Sequence, residues 1–128
     1  MRTYSTSTFE VRIDDGLLEM RTEGVRTSKH GREAERTFES LFKSAPVTAV
    51  AFDIRASNYA ITAVELESRI RQIGRQCRNI PLAFIGRDDQ AEQIRLAVST
   101  IERMHGTARG FRSRDKARAW LNTMRQPA

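Results

Sequence analysis

The sequence has a single cysteine, Cys77. No internal disulfide can form, which fits a reducing compartment. No apolar run approaches the roughly 18–20 residues that a membrane-crossing helix requires. The polar stretch Met1–Thr8 lacks the hydrophobic centre of a secretion signal, so a cytoplasmic location is expected. Prolines and glycines gather into no linker, and there is no internal repeat or long low-complexity segment. A single domain over 1–128 is therefore expected, with 1–7 and 125–128 frayed. No dense Lys/Arg block interleaved with aromatics occurs, so no nucleic-acid partner is expected. The chain also lacks a glycine-rich phosphate cradle and a nucleophile elbow. Cys77, His30 and His105 fall on three different predicted elements. They make neither a metal site nor a catalytic triad, so no catalytic residue, metal or cofactor is expected.

What is present suits a small soluble fold. Apolar residues make up 39% and charged residues 30% of the chain, enough to fold around one core. The net charge of +6 favours acidic partners. Its basic residues are spread along the chain and mostly have acidic neighbours, the pattern of a solvated surface. Arg71, Arg75 and Arg78 share one helical face, but Glu65 precedes Arg69 by four residues and Glu67 precedes Arg71 by four, the favourable ion-pair order on an exposed helix.

Phe9, Val11 and Ile13 alternate with polar residues, as in a half-buried strand. Asp15-Gly16 follows, a pair that tolerates the positive φ angles of a tight hairpin turn. That turn sets Ile13 opposite Leu18 and Val11 opposite Met20. A helix is predicted from about Gly31 to Ser44, with Ala34, Phe38, Leu41, Phe42 and Ala45 as its apolar stripe. Val47–Ile54 and Ile80–Ile85 are apolar without alternation and read as strands covered on both faces. Between them, Thr62–Gln76 carries a stripe of Ala63, Leu66, Ile70, Ile73 and Cys77, completing a βαβ unit with a right-handed crossover. A third helix begins near Asp88, with Asp89 and Glu92 as its cap. An edge strand at Thr107–Phe111 and a last helix from Ser113 to about Met124 follow. The fold class is α/β. A single mixed sheet of about five strands, an N-terminal antiparallel hairpin followed by parallel strands, is expected with four helices.

That order resembles the STAS domain (sulphate transporter and anti-sigma factor antagonist) and related small bacterial domains described as STAS or CRAL-TRIO-like. VTAVAFDIRASNYAITAVELESRI resembles the family's central strand, connecting loop and second helix, and RGFRSRDKARAWL its last strand and closing helix. In the antagonist branch, that second helix begins Asp-Ser-Ser-Gly, and a partner kinase phosphorylates the first serine to abolish binding. Here Thr62 falls at the phosphoacceptor position and Asp53 at the acidic end of the strand. Ile61, Ala63 and Val64 stand where the motif has Asp, Ser and Gly. The resemblance implies a non-enzymatic signalling module that binds a protein partner such as an anti-sigma-type kinase. Its CRAL-TRIO-like side implies instead a small-molecule or lipid-binding domain.

Thr62 and Glu65 also form a capping box, in which hydroxyl and carboxylate each serve a backbone N–H. Capping and phosphorylation are compatible, because a phosphate at a helix N-terminus meets free N–H groups and the positive end of the dipole. Ser57, in the neighbouring loop, is the second candidate phosphoacceptor. The candidate partner surface is Asp53, Arg55, Asn58, Tyr59, Thr62 and Glu65, because ligands gather at strand carboxyl ends in open α/β sheets. Asp88 and Asp89, in the second loop at that end, are expected to cap the third helix.

Overall fold

The structure, a computed structural model, describes residues 2–5 and 9–125. The hairpin forms as its turn chemistry requires. Strand β2 (Phe9–Asp14) pairs antiparallel with β3 (Leu17–Arg26), with Ile13 opposite Leu18 and Val11 opposite Met20. Asp15 and Gly16 both take positive φ, 51° and 79°, which matches the strands' own twist.

The N-terminal segment differs from expectation. Arg2–Ser5 is not frayed but forms strand β1, antiparallel to β2. It adds a sixth strand to the expected five. The edge of a half-buried strand recruits even a polar segment through backbone hydrogen bonds, a gain that side-chain patterning does not reveal. The rest of the segment expected to fray, residues 1 and 6–7, lies outside the described residues, as do 126–128, whereas Arg125 is described.

Strands β4 (Ala49–Tyr59), β5 (Leu82–Ile85) and β6 (Ala108–Phe111) complete the sheet, in the order β1-β2-β3-β4-β5-β6, with every pairing from β3 onward parallel. The four helices are α1 (Ser28–Ser44), α2 (Ala63–Gln76), α3 (Ala91–Arg103) and α4 (Arg114–Met124). Helices α1, α2 and α3 are the crossovers between successive parallel strands and share one face of the sheet. Their stripes bury Phe38, Ile70, Ile94 and Ile101 against Val50, Phe52, Leu82 and Phe84. A run of rings threads this layer: Phe38 lies 5.6 Å from Phe52, which stacks 5.4 Å from Phe84. Such ring pairs add to the stabilisation from area burial alone.

Among the described residues, the opposite face is covered by α4 alone. Ala117 and Leu121, both fully buried, meet Leu17, Ala49, Ala51, Ala83 and Ile85. The alanines on β4 and β5 are what let this helix approach the sheet closely. Met124, at the helix end, is 42% exposed. Leu121→Ala removes the larger of the two side chains that α4 buries, and a lowering of unfolding free energy by about 2–5 kcal/mol is expected in urea denaturation.

Candidate functional site

The central strand runs further than its apolar pattern indicated. β4 continues through Tyr59, so residues 55–59, expected in a connecting loop, are strand paired with the end of β3. The register explains how. Arg21 pairs with Asp53 but Glu23 with Ala56, so β4 carries one extra residue across this step, a β-bulge. The bulge hides the alternation that would mark a strand. It also resets the side-chain parity: Ile54 and Ser57 are both buried although three residues apart.

A bulge leaves backbone carbonyls without ladder partners, and buried carbonyls require donors. The turn after β5 supplies them. The buried Gln90 amide donates to Ile54 O (2.9 Å) and Ser57 O (2.7 Å). The Arg87 guanidinium donates to Arg55 O, to Ser57 O and to the Asn58 side chain. Gln90 also accepts from Arg87 N at 2.8 Å, closing the short 3-10 turn Asp88–Gln90 that precedes α3. The acidic pair here is therefore not a helix cap: Asp89 pairs with Arg87 and Asp88 with Arg112.

Past the bulge, Ser57 and Tyr59 turn toward the helix-covered face. Ser57, proposed from sequence as a phosphoacceptor, is fully buried, its hydroxyl 2.6 Å from Thr22 Oγ1. A kinase would reach it only if the strand end opened, so the fold disfavours that assignment. Tyr59 is half-buried and likewise turns inward instead of serving as an exposed contact. Burial raises its hydroxyl pKa above the ordinary value, and a hydrogen bond with Thr22 only partly offsets this.

Thr62 does cap α2. Its backbone is extended and its hydroxyl accepts from Glu65 N at 3.1 Å. Only half of the expected capping box forms, because the Glu65 carboxylate turns to α1 and accepts from Ser28 Oγ. Thr62, Ala63 and Val64 are exposed, Val64 to 78%.

The six residues expected to make one partner surface are thus divided. Thr62 and Glu65 open α2, Asn58 is exposed at the end of β4, and Tyr59 faces inward. Asp53 and Arg55 face the α4 side, where with Glu10, Arg12, Glu19, Arg21 and Arg114 they line a charged trough of about 500 Å³. Arg55 grips Asp53 through both guanidinium and backbone N–H. Burial acts to raise the Asp53 carboxyl, but these hydrogen bonds and the charges of Arg55 and Arg21 outweigh it and hold its pKa below the usual value.

On the other face, between the sheet and α1–α3, lies a cavity of about 150 Å³. Its walls are mainly apolar: Met20, Phe38, Phe52, Ile54, Ile70 and Ile94 among them. Thr22, Arg26, Tyr59 and Arg69 also line it, a polar group of which the sequence had singled out only Tyr59 as a site residue, and that as a surface contact. Arg26, at the end of β3, is only 3% exposed, and burial first, then the nearby Arg69 charge, lower its pKa. Arg69, on α2, lies against Gly31 of α1, where any Cβ would collide with the guanidinium. It donates to Ser28 O at 2.8 Å, and Glu35 and Glu65 stand 3.5 and 3.9 Å away. Its Nε is buried with no hydrogen-bond partner in the protein, as is Oε1 of Gln93, another lining residue.

Cys77, His30 and His105 lie on separate elements, and among the described residues no cluster of His, Cys, Asp and Glu is arranged to hold a metal. Burial pushes the Cys77 thiol up to about 12, so it is protonated and unreactive near neutrality. Among the described residues, no helix is long and apolar enough to cross a membrane.

No protein-family model matches the sequence, and no curated protein matches it. Solved structures do match in fold. One is an uncharacterized protein from the DUF3478 family with a SpoIIAA-like fold from Shewanella loihica PV-4, with a TM-score of 0.63 at 16% identity over 92% of this chain and 98% of that one. Another is an anti-sigma factor antagonist from Mycobacterium paratuberculosis, with a TM-score of 0.59 at 14% identity over 90% of this chain and 93% of that one. The chain therefore has the SpoIIAA-like α/β fold. That fold agrees with the STAS-like order of elements read from the sequence.

Two outcomes are expected. Gln90→Ala strands the buried Ile54 O, leaves Ser57 O to Arg87 alone, and lowers stability by about 1–3 kcal/mol in chemical denaturation. Cys77 resists thiol reagents at pH 8 in the native protein and labels rapidly in urea. Because the folded thiol pKa is raised from 9.0 to about 12, its stabilising contribution is complete below pH 9 and is lost as pH rises toward 12. Tyr59, also raised, acts in the same direction. Urea melts across that range should decline less steeply for Cys77→Ala/Tyr59→Phe.

Proposed function

We propose that this chain is a non-enzymatic cytoplasmic signalling module that binds a protein partner of the anti-sigma kinase type, with Thr62 as the residue whose phosphorylation releases it. The observation that carries this reading is the exposed Thr62 hydroxyl at the N-terminus of α2, beside the exposed Val64. A phosphate there faces the first backbone N–H groups of α2 and the positive end of its dipole. It also places about two negative charges on the surface where the partner docks. Exposed apolar side chains at such a point suit a protein contact. The docking surface consists of Asn58, Thr62 and Val64, with Glu65 at its margin. Asp53 and Arg55 are left out because they face α4. The antagonist-like fold supports this reading.

A second reading is a small-molecule or lipid-binding domain, favoured by the cavity between the sheet and α1–α3.

Affinity capture from lysate of the source organism separates wild type, Thr62→Ser, Thr62→Ala and Thr62→Glu. A partner held by the first three and lost at least tenfold with Thr62→Glu is expected. Thr62→Ala sacrifices the cap, about 1 kcal/mol of helix stability, yet keeps the neutral surface. An interaction unchanged in Thr62→Glu would sink the switch.

A further inference from the structure

The cavity is mostly apolar, but its polar lining is not arbitrary. Arg26 and Arg69 come from different elements, β3 and α2, and the charge of Arg69 reaches Arg26. Both line the same cavity as the hydroxyls of Tyr59 and Thr22. Guanidiniums lining one cavity repel; Glu35 and Glu65 offset part of the Arg69 charge and Glu33 part of that of Arg26, and an anion between the two arginines is attracted by both. Glu35 and Glu65 approach Arg69 only at 3.5 Å and 3.9 Å, with side chains 38% and 34% exposed. They leave the buried Nε without a partner. The planar fork of arginine matches a carboxylate better than any other small anion-sized group it meets in proteins except phosphate, and an apolar wall disfavours the doubly charged phosphate.

We propose that the cavity binds a small amphipathic monocarboxylate, its head group held by Arg69 and Arg26 with the Tyr59 hydroxyl, and its apolar body against Phe52, Ile70 and Ile94. This rests on the second reading above and names the ligand class. A cavity of about 150 Å³ holds a molecule about the size of benzene, and this one opens to solvent, so the body is short, about six to eight carbons, and not a long acyl chain. Arg69 touches both α1 and α2, so a carboxylate on it also fastens these two helices over the sheet.

Octanoate, octan-1-ol and octylammonium, matched in chain and different in head, test this by calorimetric titration and thermal shift on the full chain. Octanoate is expected to bind at least tenfold more tightly than octanol, octylammonium more weakly still, and octanoate should shift the methyl NMR signals of Ile70 and Ile94. In Arg69→Met, checked for folding by circular dichroism, octanoate should fall to the affinity of octanol while octanol is unchanged. Equal binding of octanoate and octanol by wild type would overturn the carboxylate inference and leave the cavity reading standing. Binding of none of the three at millimolar concentration would overturn both. The wild-type series decides the matter even if the variant does not fold.

Discussion

The donation of the Gln90 amide to Ile54 O and Ser57 O is the interaction on which the candidate site depends. Without donors for those carbonyls, the bulge in β4 would bury unsatisfied backbone, at a cost of about 1–3 kcal/mol per group. With them, the strand continues in register with the end of β3 and shifts its side chains by one face. That shift turns Ser57 and Tyr59 toward Thr22 and lines up Arg26 opposite Tyr59. The polar part of the cavity exists because the bulge exists, and the bulge is held by a turn some thirty residues downstream in the chain.

The two faces of the sheet have been put to different uses. On the α4 side, a row of alanines brings one helix close and leaves the rest of the face to paired charges, Asp53 with Arg55 and Glu19 with Arg114. These pairs are part-exposed and contribute little to stability. The α1–α3 side carries the aromatic core and the cavity. Helices α1 and α2 are joined there by polar contacts, Ser28 with Glu65 and Arg69 with Ser28 and Glu35. Glycine at position 31 is what permits them, since a side chain there would displace the Arg69 guanidinium.

The surface proposed for partner docking and the cavity meet at α2. Thr62 and Val64 open the helix on the outside, while Leu66, Arg69 and Ile70 line the cavity from the same helix. Helix α2 therefore carries both readings of the fold, and a change at its first turn bears on the same rigid element that walls the cavity.

The sequence by itself determined the order of elements, the hairpin register set by Asp15-Gly16, most of the burial stripes of the helices (Ala63, expected inside, is exposed) and the capping role of Thr62. Each is local: a turn's φ angles, a period of 2 or 3.6 residues, a hydroxyl preceding an amphipathic run. It also carried the STAS-like resemblance, which rests on that order. Tertiary structure alone decided the rest. Strand β1 forms because a neighbouring edge offers backbone partners to a segment with no apolar pattern. Residues 55–59 are strand because donors from residues 87 and 90 tolerate a bulge that breaks their alternation. Ser57 and Tyr59 are inside, and Arg26 and Arg69 line one cavity, because pairing across the sheet and packing of α2 on α1 bring together residues more than thirty apart. No local pattern encodes that meeting.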